Sequence, residues 1–168
     1  ILFLYPNLHM AYLVPNAISI LSAYLKRAGF KNIDLFDTTF YESPGVTRAQ
    51  EDGKSKYDVR VKYGNVKAFN FDDRNIKLKS TDMFKDFVDK VDQFKPDIIF
   101  ASLVEDTYPI FIKFMELIKS KKIPCLAGGV FPSSAPERVI KLDCVDYVGR
   151  GEGEDSLVDL CNALEDGK

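Results

Sequence analysis

The fold is decided by two stretches in which a short, mainly apolar segment is followed by glycines: IPCLAGGVFP at residues 123–132 and VDYVGRGEGE at residues 145–154. An apolar run followed by glycine is typical of a buried parallel strand that ends at a binding turn. Backbone without side chains lets a flat ligand or a phosphate tail approach the strand ends closely. The two stretches therefore predict a binding domain built on a parallel sheet.

The same alternation of strand and helix continues toward the N-terminus. The predicted strands are residues 1–5, 33–37, 97–103, 123–127 and 145–148. Helical spacing of apolar residues predicts helices that contain Ile18–Ala28, Phe84–Phe94, Tyr108–Lys121, Pro136–Leu142 and Leu157–Leu164. This alternation implies right-handed crossovers with helices on both faces. We therefore predict an α/β, flavodoxin-like or Rossmann-like doubly wound sheet in three αβα layers, with strand order 2-1-3-4-5.

The alternation breaks once, after the second strand. Residues from about 40 to 80 do not follow the strand–helix pattern, which predicts an insertion there. A length of 168 residues with 46% apolar content is typical of one domain with a full core. We therefore expect a single domain over residues 1–168, and the opening on Ile1 rather than Met suggests one excised from a larger protein.

Composition argues against several classes of partner. The formal net charge is −2 with both signs dispersed, so nucleic acid is not expected as the main partner. No apolar run reaches the length of a membrane span, so no membrane association is expected. The cysteines Cys125, Cys144 and Cys161 are far apart, which disfavours a disulfide framework or a zinc or iron–sulfur site and fits a reducing, cytoplasmic setting.

The loop after the first strand narrows the choice of ligand. It reads PNLHM at residues 6–10 and contains no glycine, whereas a dinucleotide fingerprint needs G-x-G-x-x-G there. A Walker phosphate loop is absent from the sequence. Flavin mononucleotide is disfavoured because this loop lacks a run of Ser, Thr and Gly to hold its phosphate. The sequence places the ligand site at the carboxyl ends of the strands.

An ordered set of short motifs resembles one family across nearly the whole chain. The motifs are LKRAGF at residues 25–30, KPDII at 95–99, GGVFP at 128–132, VDYV at 145–148 and GEGE at 151–154. In this order they are similar to the N-terminal cobalamin-binding domain of B12-dependent radical SAM proteins.

The resemblance implies that the corrin of cobalamin lies over the carboxyl ends of the strands, while its nucleotide tail runs between the first strand and the later turns. The residues that it places at the cofactor are Pro6, Asn7, His9, Asp37, Thr38, Ser102, Leu103, Gly128, Gly129, Val130, Phe131, Gly151, Glu152 and Gly153. It implies no catalytic residue and no metal ligand in this chain. The [4Fe-4S] cluster, S-adenosylmethionine and methyl transfer would belong to a radical SAM catalytic domain C-terminal to it.

The chain departs from one motif of other cobalamin proteins. Mutases and methionine-synthase-like modules carry D-x-H-x-x-G after the second strand, whereas this chain has Asp37 followed by Thr39 and Glu42 at the His and Gly positions. This loop therefore has no histidine to ligate cobalt. In lacking the motif, the chain is similar to the radical SAM branch of cobalamin proteins. His9, the only histidine, could instead contact the corrin edge or be an ordinary surface residue.

The sequence leaves alternatives for the role of two glutamates and for the function of the whole domain. Glu152 and Glu154 are expected to stabilise the first turn of the last helix rather than to act as an acid and a base. The lost histidine and the insertion also allow a different function, that of a ligand-free flavodoxin-like regulatory or interaction domain.

Overall fold

The computed structural model describes residues 1–7, 15–41, 75 and 77–167. These residues form a five-stranded sheet of order β2-β1-β3-β4-β5, in which every neighbouring pair is parallel. The strands are β1 (Leu2–Tyr5), β2 (Asp34–Asp37), β3 (Ile99–Ser102), β4 (Cys125–Gly128) and β5 (Tyr147–Val148). The predicted fold class and strand order are confirmed.

The strands begin nearly level, so their carboxyl ends share one edge of the sheet. Leu2 pairs with Asp34 on one side and with Ile99 on the other, and Ser102 pairs with Gly128. We call the edge where Tyr5, Asp37, Ser102, Gly128 and Val148 end their strands the carboxyl edge.

Six α-helices cover the sheet in the described residues. They are α1 (Asn16–Arg27), α2 (Met83–Phe94), α3 (Tyr108–Ile118), α4 (Val130–Ser134), α5 (Pro136–Val139) and α6 (Glu154–Glu165). The start of α2 is fixed by its N-cap, because the Asp82 carboxylate accepts hydrogen bonds from the backbone N–H groups of Phe84 and Lys85 at 2.8 and 3.4 Å. Short 3₁₀ turns flank α3 at Glu105–Thr107 and Lys119–Lys121.

Alternate strand residues face opposite layers of helices. Leu4, Ala101 and Ala127 point toward α2, α3, α4 and α5, where the rings of Phe36, Phe87 and Phe114 pack within 4.8–5.7 Å of each other. We call this side the aromatic face. Phe3, Phe100 and Leu126 point toward α1 and α6, and we call that side the cleft face.

The backbone on the two sides of the predicted insertion comes together beside β2. Tyr41 forms a parallel bridge with Lys79, and the Lys79 N–H donates to the Phe40 carbonyl at 2.8 Å. The buried Tyr41 hydroxyl donates to the Asp86 carboxylate at 2.9 Å. The predicted insertion falls almost wholly within residues 42–74 and 76, which lie outside the described residues.

One helix was not predicted from the sequence. The sequence predicts a glycine-rich turn over residues 128–132, but Val130–Ser134 is helical. Pro132 lies in the first turn of α4, where a missing backbone N–H leaves no helical hydrogen bond unmade. The predicted helix Pro136–Leu142 is correspondingly shorter and ends at Val139.

Candidate functional site at the carboxyl edge

A cleft of about 320 Å³ opens between α1, α6 and the cleft face of the sheet. Its floor is apolar and is formed by Phe3, Ile18, Phe100, Leu126 and Leu157. Its mouth lies at the carboxyl edge and is lined by Ser102, Gly128, Gly129, Gly149, Gly151, Glu152, Gly153, Glu154 and Ser156. An apolar floor with polar groups at the rim is the usual composition of a small-molecule site.

The glycines of the mouth are there for different reasons. A Cβ on Gly129 would lie 2.8 Å from the Leu103 carbonyl oxygen, and its φ of +103° is open only to glycine, so the fold itself requires Gly129. A Cβ on Gly128 would meet only a Leu126 methyl group at 3.7 Å, which is an ordinary contact. A Cβ on Gly149 would likewise lie 3.5 Å from that methyl group. Gly128 and Gly149 thus form a strip without side chains beside the cleft that the protein's own packing does not demand.

The turn from Gly149 to Gly153 is attached to its neighbours by two hydrogen bonds. The Gly149 N–H donates to the Ala127 carbonyl at 2.9 Å, and the Gly151 N–H donates to the Ser133 hydroxyl oxygen at 3.0 Å. Ser133 on α4 was not among the predicted site residues, because a serine eighteen positions away gives no local sign of this contact. The bond also means that the Gly151 N–H is already engaged within the protein.

A second, smaller cleft of about 180 Å³ adjoins the first at Ser102 and Gly129. The predicted residues Pro6, Asn7, Leu103 and Val130 also line it. Val130 is 71% exposed at the rim of this cleft. The structure therefore brings ten of the predicted site residues to these two adjoining clefts.

Asp37 and Thr38 support the edge from behind and line neither cleft. The Thr38 hydroxyl accepts a hydrogen bond from the Asn7 N–H at 2.7 Å and donates to the Asn7 carbonyl at 2.8 Å. The Asp37 carboxylate accepts from the N–H and hydroxyl of Thr39 at 2.8 and 2.5 Å, and the Thr39 hydroxyl in turn accepts from the Asn7 side-chain amide at 2.7 Å. Both residues thus hold Asn7 in place at the cleft.

Phe131 and the two glutamates take distinct positions. Phe131 is 9% exposed and packs against Tyr108 with ring centroids 4.9 Å apart, on the aromatic face rather than in a cleft. Glu154 lies in the first turn of α6, as expected, whereas Glu152 precedes the helix by two residues and is exposed. The expectation that both carboxylates belong to the first turn is therefore wrong for Glu152. His9 lies outside the described residues.

The described part of the chain offers no metal centre of its own. It contains no group of three or more His, Cys, Asp or Glu side chains able to hold a metal ion. Burial raises the pKa of the Cys125 thiol well above its ordinary value and that of Cys161 to about 11.

None of the described helices has both the length and the apolar content needed to cross a bilayer.

Comparison with known proteins gives one match. The family model of the B12 binding domain matches residues 64–161, more than half of the 168-residue chain. The matched range runs from before α2 into α6 and includes both glycine turns of the cleft. Searches of curated proteins and of solved structures gave no significant match.

Proposed function

This chain belongs to the family of B12-binding domains, and we propose that it holds cobalamin with the nucleotide end in the larger cleft and the corrin over the carboxyl edge. The observation that carries the proposal is the strip at Gly128 and Gly149. A folded protein keeps two glycines beside an apolar cleft where its own packing has room for side chains, and a flat ligand is what would use that space.

The size and chemistry of the cleft fit one end of the cofactor. A volume of about 320 Å³ is at the small end of the range for ligand sites, so it suits a planar base with its sugar rather than a whole macrocycle. The apolar floor would contact the faces of the base, and Ser102 and Ser156 line the rim, where their hydroxyl oxygens would accept hydrogen bonds from polar groups of the ligand. The exposed Val130 and Ile20 beside the clefts offer apolar contacts to a large flat group lying across the edge.

We further propose that the chain is the cofactor-holding part of a cytoplasmic B12-dependent radical SAM protein that transfers a methyl group. The GGVFP and GEGE motifs and the lost D-x-H-x-x-G motif support this branch. Cobalamin supplies a cobalt centre able to carry a methyl group. The described residues contribute binding and orientation, while an iron–sulfur cluster and S-adenosylmethionine would belong to a catalytic domain C-terminal to these residues.

The test is a visible absorption titration of the purified chain with hydroxocobalamin, followed by desalting. We expect the colour to stay with the wild-type protein. Gly128→Leu should abolish this retention with little change in melting temperature, because a side chain there would enter the cleft without striking backbone. Ser134→Leu is the matched control, since Ser134 is exposed on α4 and lines neither cleft.

Each outcome has a clear meaning. Loss of retention in Gly128→Leu alone supports the proposed site. Unchanged retention in that variant would contradict the placement of the nucleotide end. No retention in the wild type at high micromolar cobalamin would contradict cobalamin binding by this chain and favour a ligand-free regulatory domain.

A further inference from the structure

The larger cleft has an unusual charge for a site that receives a phosphate. Among its lining residues the only charged side chains are Glu152 and Glu154, and the lining of the smaller cleft contains none. Sites that hold phosphate monoesters usually supply Arg or Lys to pair with the charge. Among the described residues, the lining of the larger cleft contains two glutamates and no Arg or Lys.

No cation in the described part of the chain forms an ion pair with either carboxylate, that of Glu152 or that of Glu154. Arg150 is the nearest cation along the chain, but it is exposed and lines neither cleft. The N-terminus of α6 offers the partial positive charge that attracts anions, yet Glu154 and Asp155 already occupy its first turn.

In the described part of the chain, the rest of the carboxyl edge also carries more negative than positive side chains. The segments directly after β3 and β5 add Glu105 and Asp106 to Glu152, against the single cation Arg150. At the opposite edge, where the strands begin, the described cations outnumber the anions. The segments that lead into β2, β3, β4 and β5 contain the cations Lys31, Lys95, Lys119, Lys121, Lys122 and Lys141 and the anions Asp97, Asp143 and Asp146.

We infer that Glu152 and Glu154 determine the ligand selectivity of the cleft by opposing the charge of a ligand phosphate. Coulomb repulsion grows in proportion to the ligand charge. A phosphodiester, with one negative charge, is therefore opposed about half as strongly as a phosphate monoester, which carries nearly two at neutral pH. The pair therefore disfavours flavin mononucleotide and free nucleotides relative to a nucleotide tail that is joined through a diester. This inference rests on the proposed function, because it concerns the same cleft.

The test measures the dissociation constant of cyanocobalamin for the wild-type chain and for the double variant Glu152→Gln, Glu154→Gln, at low and high NaCl. Glutamine keeps the size of the side chains and removes both charges. We expect the double variant to bind cyanocobalamin about threefold to tenfold more tightly at low salt. Raising the salt should tighten binding to the wild type by screening the repulsion and should have little effect on the variant.

A second measurement uses flavin mononucleotide as a competitor at millimolar concentration. It should leave the cyanocobalamin affinity of the wild type unchanged and should weaken that of the double variant. Asp155→Asn is the matched control, because Asp155 shares the first turn of α6 but does not line the cleft. We expect this control to behave like the wild type in both measurements.

Three results would overturn the inference. One is weaker or unchanged binding of cyanocobalamin by the double variant, which would show that the glutamates contribute contacts rather than repulsion. Another is equal tightening in Asp155→Asn, which would indicate a general charge effect. The third is an absence of competition by flavin mononucleotide in both proteins, since something other than the carboxylates then excludes it. Failure of the proposed function would appear differently, as no cobalamin binding by the wild type.

Discussion

The helices on the two faces of the sheet contribute side chains of different kinds, aromatic on one face and mainly aliphatic on the other. On the aromatic face, rings from β2, α2 and α3 fill the space between sheet and helices, and Phe114 packs against Phe36, Phe84 and Phe87. On the cleft face, the aliphatic side chains of α1 and α6 meet glycines at the ends of β4 and β5, and a cavity remains. The protein thus separates its larger, aromatic core from the candidate ligand site by the thickness of one sheet. Variants on one face should therefore change stability, and variants on the other should change binding.

The largest expected effect is on the aromatic face. Phe114→Ala removes a fully buried ring that contacts three others, so we expect a loss of about 3–5 kcal/mol in the free energy of unfolding. Urea denaturation followed by circular dichroism would measure it. Ile20→Ala is the comparison on the cleft face, where the side chain is 49% exposed and should cost less than about 1 kcal/mol. Equal losses in the two variants would contradict the separation of the faces.

A second, smaller loss of stability should distinguish Gly128, the last residue of β4, from Gly129, the N-cap of α4. Gly129→Ala forces a Cβ to within 2.8 Å of the Leu103 carbonyl oxygen at a φ of +103°, so we expect a loss of about 2 kcal/mol or more. Gly128→Ala should change stability by less than about 0.5 kcal/mol, because its Cβ has room. Thermal melts of the two variants would check this. If Gly128→Ala were the more damaging change, the ligand argument for that glycine would fail.

The smallest effect concerns the support of the turn on the cleft face. Ser133→Ala removes the acceptor of the Gly151 N–H at an exposed position, so the free energy of unfolding should fall by about 0.5 kcal/mol. Cobalamin affinity should fall more visibly, by about twofold to fivefold, because the turn beside the cleft is less well held. Equilibrium titration would measure that affinity. Ser134→Ala serves as the control, since its hydroxyl bonds within α4 to the Val130 carbonyl, and a matching loss there would argue against a role for the turn.

The sequence predicted the sheet well because the first, third and fourth strands are largely apolar runs bounded by proline, glycine or a charged residue. The runs 1–5 and 97–103 need cover on both faces, and that requirement alone indicates a parallel sheet with helices on both sides. The order of the strands followed from the usual doubly wound topology and is confirmed.

The sequence could not distinguish residues of the same type that have different roles. Gly128 and Gly129 are adjacent and identical in kind, but only the structure shows that Gly129 is needed by the Leu103 backbone. The family resemblance implied that Thr38 lies at the cofactor, whereas its hydroxyl bonds to the backbone of Asn7, thirty-one residues away. Contacts across such a distance depend on which strands become neighbours, and local pattern carries no sign of them. The contribution of Thr38 to cofactor binding stays a prediction.

The bridge between Tyr41 and Lys79 has a consequence for how freely the chain length between them can vary. Because the backbones at Tyr41 and Lys79 already lie side by side and are hydrogen-bonded, their pairing does not depend on how many residues connect them. The entropic cost of a connection grows only logarithmically, by about 0.6 kcal/mol for each doubling of its length. Homologous domains could therefore differ in the length of the connection between Tyr41 and Lys79 with little entropic penalty.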